Sequence, residues 1–155
     1  MRDLDADQLL VLVSEQPGHK PTVADPETRL ELARLAFQDL PGAHVRLDPH
    51  PFTIDFLREE RPQDAVLVLG ADQWTAFDTW REPDEVRSLI PIAVAARPGQ
   101  AVPEGGVRRF EIDQRPISSS EIRARVAAGE SIDGLVPPAV AREIERRGLY
   151  GGTPS

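Results

Sequence analysis

Three adjacent serines, Ser118, Ser119 and Ser120, are followed one helical turn later by Arg123. Hydroxyl and guanidinium donors of this kind hold phosphate. A helix beginning at the serines adds unpaired backbone N–H groups and a partial positive charge, so the segment can form an anion site. The same residues have a plainer use: Ser118 and Glu121 make an S-x-x-E capping box that closes a helix start without any ligand. The segment "LVLGADQWTAFDTW" places Gly70 at a strand end with Asp72 behind it. A glycine there lets a nucleotide approach the backbone while the aspartate accepts from a ribose. It also serves as a tight turn with Asp72 capping the next helix. Trp74 and Trp80 are the only tryptophans, and an indole either stacks on a flat ring or packs into a core. His19 and Lys20 directly follow another strand and can hold a phosphate. Lys20 is the single lysine against seventeen arginines, a compact point charge where the chain otherwise uses a planar fork; coding bias accounts for the ratio equally well.

Other chemistries find no support. His44 and His50 stand apart, with no HxxxH or HxH spacing, so no metal site is expected. The chain has no GxSxG, GxxxxGK[ST] or GxGxxG, and with no cysteine it has neither a disulfide framework nor a thiolate metal site.

The elements that must position these residues alternate between apolar runs and helical periodicity. "LLVLVS" (Leu9–Ser14) reads as a buried strand, and "DPETRLELARLAFQDL" as a helix with Asp25 as N-cap and Pro26 at its first position, ended by Pro41 and Gly42. "AHVRLD" is a weaker strand, and "TIDFLREE" a short helix capped by Thr53. "AVLVLG" (Ala65–Gly70) is the best strand, followed by a helix over "PDEVRSLI", a strand in "PIAVAARPG" and one more in "VRRFEI". Helices over Ser118–Ala128 and Pro138–Arg147 close the chain, the last ended by Gly148. Val- and Leu-rich strands each followed by a helix predict an α/β fold with a parallel sheet covered on both faces. Ligands in such sheets bind beyond the carboxyl ends of the strands, where the GHK and GAD segments fall.

At 155 residues the chain is expected to be one domain over residues 1–150, on a scale of about 100 to 200 residues per domain, with a disordered tail at 151–155. A net charge of -8 argues against a nucleic-acid partner. No apolar run approaches the ~18 residues of a membrane span, so no membrane partner is expected either. "MRDLDADQ" is acidic and polar, without the apolar core of a signal peptide, and the lack of cysteine fits a cytoplasmic protein. A homo-oligomer is left open by the sequence.

In order and spacing, "GHKP", "RLELARLAF", "FTIDFLRE", "LVLGADQWTAFDTWREPDEV" and "ISSSEIRARVAAGESIDGLVPPAVAREIERRGLY" resemble the bacterial nicotinate-nucleotide adenylyltransferases, over about Leu9 to Tyr150. The resemblance implies a Rossmann-like nucleotidyltransferase fold and transfer of the adenylyl group of ATP, with Mg2+, to nicotinate mononucleotide in NAD biosynthesis. By the same likeness Ser118, Ser119, Ser120 and Arg123 hold the ATP phosphates, Ser120 standing where the family usually has threonine. Gly70 and Asp72 match the GAD element near the ribose, Trp80 the aromatic that stacks on the pyridine ring, and Thr53 a threonine near the nicotinate carboxylate. Pro51 and Phe52 replace the usual Ser-Tyr ahead of that threonine. His19 and Lys20 match a P-H-K element, with Gly18 in place of its proline.

The family's opening strand and its G-G-[ST]-F-D-P-x-H-x-G-H loop have no counterpart in these residues. The catalytic residues are therefore not assigned, and the chain as written is expected to be inactive. Without that central strand the sheet is expected as two halves with unpaired apolar edges, which proteins avoid. The expectation is that Met1 is an internal start and that about 25 to 30 residues, a strand, a loop and most of a helix, precede it. A non-catalytic nucleotide-binding paralogue and a phosphopantetheine adenylyltransferase are the alternative readings.

Overall fold

The computed structural model describes residues 4, 6–16, 24–96, 101, 107–112 and 117–151. These divide into two compact units, Met1–Pro49 with Pro116–Ser155, and His50–Arg115. The strands form two all-parallel sheets. Residues 152–155 of the expected tail lie outside the described residues.

The first unit begins with β1 (Leu9–Ser14), crosses over through α1 (Pro26–Phe37) and returns as β2 (Ala43–Asp48), paired from Leu9 with Ala43 to Ser14 with Asp48. Asp25 caps α1 as its sequence predicts, accepting from the Thr28 N–H and hydroxyl, both at 2.8 Å. The helix stops at Phe37, ahead of Pro41 and Gly42; Gly42 serves the turn into β2 instead. Its φ of 78° and a Cβ position 2.3 Å from the Asp7 carbonyl oxygen leave room only for glycine. β1 was expected to be buried, yet none of its six residues is, and Leu10 is 45% exposed. The physical reason is pairing: among the described residues β1 has a neighbour on one side only.

α5 (Ser119–Ala127) and α6 (Pro138–Arg147) complete this unit. Ile122, Ile132, Val140 and Ile144 form its core, with Leu32 and Leu35 of α1 packed against them. Val140 and Ile144, four residues apart, share one face of α6. Gly148, at φ 61°, ends α6, and the N–H of Leu149 returns to the Ile144 carbonyl.

Glu143 accepts from Arg146 Nη2 at 2.6 Å and Nε at 2.8 Å, and also from Arg147. The Arg146 hydrogen bond, backed by Arg147, holds this carboxyl down to about 2, against 4.5 ordinarily. A depressed carboxyl stabilises the fold above its unfolded value and loses that contribution as pH falls through the folded one. Melting temperatures at about pH 6 and about pH 3 should therefore drop less in Glu143→Gln than in the parent chain.

The second unit holds α2 (Thr53–Glu60), β3 (Leu67–Gly70), α3 (Ala71–Thr75), a 3-10 turn (Phe77–Thr79), α4 (Pro83–Leu89), β4 (Ile92–Ala96) and β5 (Arg108–Glu111). The sheet order is β3-β4-β5. Four of the five β4 residues are buried, because it is paired on both sides. β3 is shorter than the sequence suggests, starting at Leu67, and Val66 and Val68 are 40% and 42% exposed. β5 carries Arg108 and Arg109, charges that discourage further pairing at a sheet edge. Ile54 and Phe77 are fully buried, each contributing about 1.5–3 kcal/mol through burial.

Candidate functional site

Ser118 is the N-cap of α5, its Oγ accepting from the Glu121 N–H at 3.1 Å. The capping box is only half made: the Glu121 carboxylate turns to Arg125 Nε, at 3.4 Å, one turn along the helix. Ser119 and Ser120 are exposed in the first turn, and Arg123 Nη2 donates to Ser120 Oγ at 3.0 Å. Burial of Ile122 between them and the core seats the helix, so its start faces outward with a guanidinium held against a serine. Ser118 closes the helix, while Ser119, Ser120 and Arg123 remain as donors beside the helix start. Ser118→Ala should cost about 1 kcal/mol of stability, read by urea denaturation.

The remaining described candidates lie in the second unit. Gly70 ends β3 opposite Ala95 and is itself the N-cap of α3, so the helix follows the strand without a loop. Asp72 is therefore the second helical residue and not the cap that the sequence allowed. Its carboxylate near a helix N-terminus complements the macrodipole. Thr53 is likewise the first residue of α2, and Phe52 is the N-cap; no side chain caps that helix start. The sequence favoured Thr53 as cap because of its hydroxyl, but the chain enters the helix one residue earlier.

The two tryptophans separate into different roles. Trp74 is 5% exposed and belongs to the core. Its ring lies 5.1 Å from Phe77, which lies 5.1 Å from Trp80, both pairs tilted. Trp80, half-buried, is the outer end of this ladder. Arg87 lies over the Phe77 ring at 4.8 Å and over Trp74 at 5.5 Å, and is itself paired with Asp78 and with Asp84 at 3.0 Å. The Asp78 hydrogen bond, joined by Asp84, raises its already high pKa. A partly exposed ring with an aromatic footing is suited to stacking on a flat ligand.

His19 and Lys20 lie outside the described residues. The chain on either side of their segment is tied by a residue that sequence reasoning missed. Arg29 donates to the carbonyls of Ser14 at 2.7 Å, Glu15 at 3.2 Å and Ala24 at 3.2 Å, fastening the end of β1 to the start of α1. An arginine in the first turn of a helix was visible, but its acceptors are backbone carbonyls that no side-chain pattern reveals. Of the other histidines, His44 is exposed on β2, and His50 Nε2 meets Glu59 at 3.1 Å. Among the described residues no three His, Asp or Glu side chains gather to hold a metal ion, and no helix is long and apolar enough to cross a membrane.

Residues 1–125 match the sequence model of the cytidylyltransferase-like family. A probable nicotinate-nucleotide adenylyltransferase of Thermus thermophilus is 37% identical, over 93% of this chain and 83% of its own length. That of Bordetella avium is 34% identical, over 95% and 84%. The chain belongs to the cytidylyltransferase-like family, and within it to the nicotinate-nucleotide adenylyltransferases. The solved Plasmodium falciparum nicotinic acid mononucleotide adenylyltransferase, complexed with NaAD, has the same fold: TM-score 0.76 at 15% identity, over 93% of this chain and 82% of that one. The expected Rossmann-like nucleotidyltransferase fold is therefore the fold of this chain.

Proposed function

We propose that this chain binds ATP and nicotinate mononucleotide and joins them into deamido-NAD, releasing pyrophosphate, a step of NAD biosynthesis. The observation that carries the reading is the start of α5, an exposed serine-rich helix N-terminus with Arg123 held against Ser120, in a chain of this family. In this reading Ser118, Ser119, Ser120 and Arg123 neutralise the ATP phosphates. Gly70 and Asp72 receive the ribose, Trp80 stacks on the pyridine ring, Thr53 stands by its carboxylate, and His19 and Lys20 meet phosphate.

The reaction needs no covalent enzyme intermediate. An oxygen of the mononucleotide's 5′-phosphate attacks the ATP α-phosphorus in line; the bond to it forms as the bond between the α-phosphorus and the bridging oxygen breaks. The electron pair leaves with pyrophosphate. Binding both nucleotides supplies proximity, and donors at the α5 start stabilise the negative charge that accumulates on the leaving group. Mg2+ enters as part of the Mg–ATP substrate. In that role it takes most of its ligands from water and substrate phosphate.

The test is pyrophosphate release from ATP, Mg2+ and nicotinate mononucleotide, with deamido-NAD identified by mass. Nicotinamide mononucleotide and phosphopantetheine serve as competing acceptors. Product from nicotinate mononucleotide alone supports the reading; product only from phosphopantetheine overturns it. A second reading, nucleotide binding without turnover, is favoured by one observation: none of the three histidines stands in an H-x-G-H spacing. Binding of both nucleotides with no pyrophosphate released would establish that reading instead.

A further inference from the structure

Two of the residues read as mononucleotide contacts, Thr53 and Trp80, lie on separate elements of the second unit, and their immediate chain neighbours touch. The Arg81 guanidinium lies over the Phe52 ring, 4.8 Å from its centroid. Phe52 precedes Thr53 and is the N-cap of α2; Arg81 follows Trp80, which closes the 3-10 turn. Arg81 also reaches Asp55, in the first turn of α2, at 3.9 Å, and Glu82 at 3.6 Å. Glu82 holds a left-handed φ of 51°, an uncommon backbone for a residue with a side chain. Arg58 of α2 secures it, its Nη2 donating to Glu82 Oε2 at 2.5 Å and its Nε to Glu85 Oε1 at 3.0 Å. Phe52 is 42% exposed, so the core does not hold the ring in place. The contact with Arg81 supplies a partner on one face.

We infer that the Phe52–Arg81 pair is a positioning clamp for the mononucleotide site, fixing the start of α2 relative to Trp80 so that one ligand can meet both. The inference rests on the reading of Thr53 and Trp80 given above. Neither clamp residue needs to touch ligand. The clamp's effect is specific to the mononucleotide: ATP, held at α5, does not depend on it.

The experiment is a set of separate titrations of the full chain with nicotinate mononucleotide and with Mg–ATP, followed by tryptophan emission, with Trp80→Phe identifying the responding ring. Melting temperatures are taken alongside. The parent chain is expected to bind nicotinate mononucleotide with quenching from Trp80; failure at this step removes the functional reading, and the clamp with it. Given binding, Phe52→Leu and Arg81→Gln should each weaken mononucleotide affinity about tenfold, and the double variant no further, because the two residues act as one unit. Phe52→Tyr, which keeps the ring, should bind like the parent, and ATP affinity and melting temperature should hold in all four. Loss on Arg81→Gln but not Phe52→Leu would overturn the clamp in favour of a direct Arg81 contact. Losses that add, or that extend to ATP and to melting, would overturn it in favour of a general structural role.

Discussion

Arg123→Ala is expected to raise the dissociation constant for Mg–ATP by about 10- to 100-fold, the range for losing a charge-assisted contact. The guanidinium sits one turn inside α5, against Ser120 Oγ at 3.0 Å, so part of its rotamer freedom is already spent before the nucleotide arrives. Its helix is seated by Ile122, which the substitution leaves in place, so the loss should fall on binding and leave the melting temperature nearly unchanged. Arg123→Lys keeps the charge but loses the planar fork, and should fall between the parent and the alanine variant. Calorimetric titration with ATP measures both. Unchanged ATP affinity in Arg123→Ala would remove the phosphate cradle from the reading, whatever the chain's activity proved to be.

The largest stability effect is expected from Phe77→Ala, about 3–5 kcal/mol, the cost of deleting a buried aromatic side chain and leaving a cavity. Phe77 is fully buried and is the middle of the ladder that joins Trp74 to Trp80. It is also the ring over which Arg87 lies, so its loss strips that cation of one aromatic face while its pairs with Asp78 and Asp84 persist. Phe77→Leu keeps most of the volume and should cost well under half as much. Urea denaturation followed by far-ultraviolet circular dichroism reads both values. In Phe77→Leu, which stays folded, the Trp80 ring loses its aromatic footing, and mononucleotide affinity should fall more than ATP affinity. Equal falls would separate Trp80 from pyridine recognition.

Much of the local structure was legible because its causes are local. Asp25 ahead of Pro26 marks a helix start on residue chemistry alone, and the Asp25 carboxylate makes the bonds that the pattern predicts. β1, β2 and α6 begin and end where apolar runs, Pro138 and Gly148 place them. The start of α2 was misjudged by one residue. Thr53 has a capping hydroxyl, but Phe52 takes the cap position, where its ring meets Arg81 twenty-nine residues further along the chain. Burial of β1 was misjudged for a different reason. An apolar strand is buried only when neighbours cover it, and hydrophobicity along one strand says nothing of how many neighbours it has.

By itself the sequence determined the α/β class, the order of the elements and, through the resemblance of its short motifs, the family. It also supplied the candidate residues, including the serines of α5 and both tryptophans. Only the tertiary structure decided which tryptophan is core and which is partly exposed. It alone showed that Glu121 turns from the cap to Arg125, that Arg29 fastens the end of β1 to α1, and that Phe52 meets Arg81. Each of these depends on a contact between residues a helical turn or far more apart. Spacing along a chain reports local conformation, whereas such contacts follow from how packed elements bring distant side chains within a few ångströms.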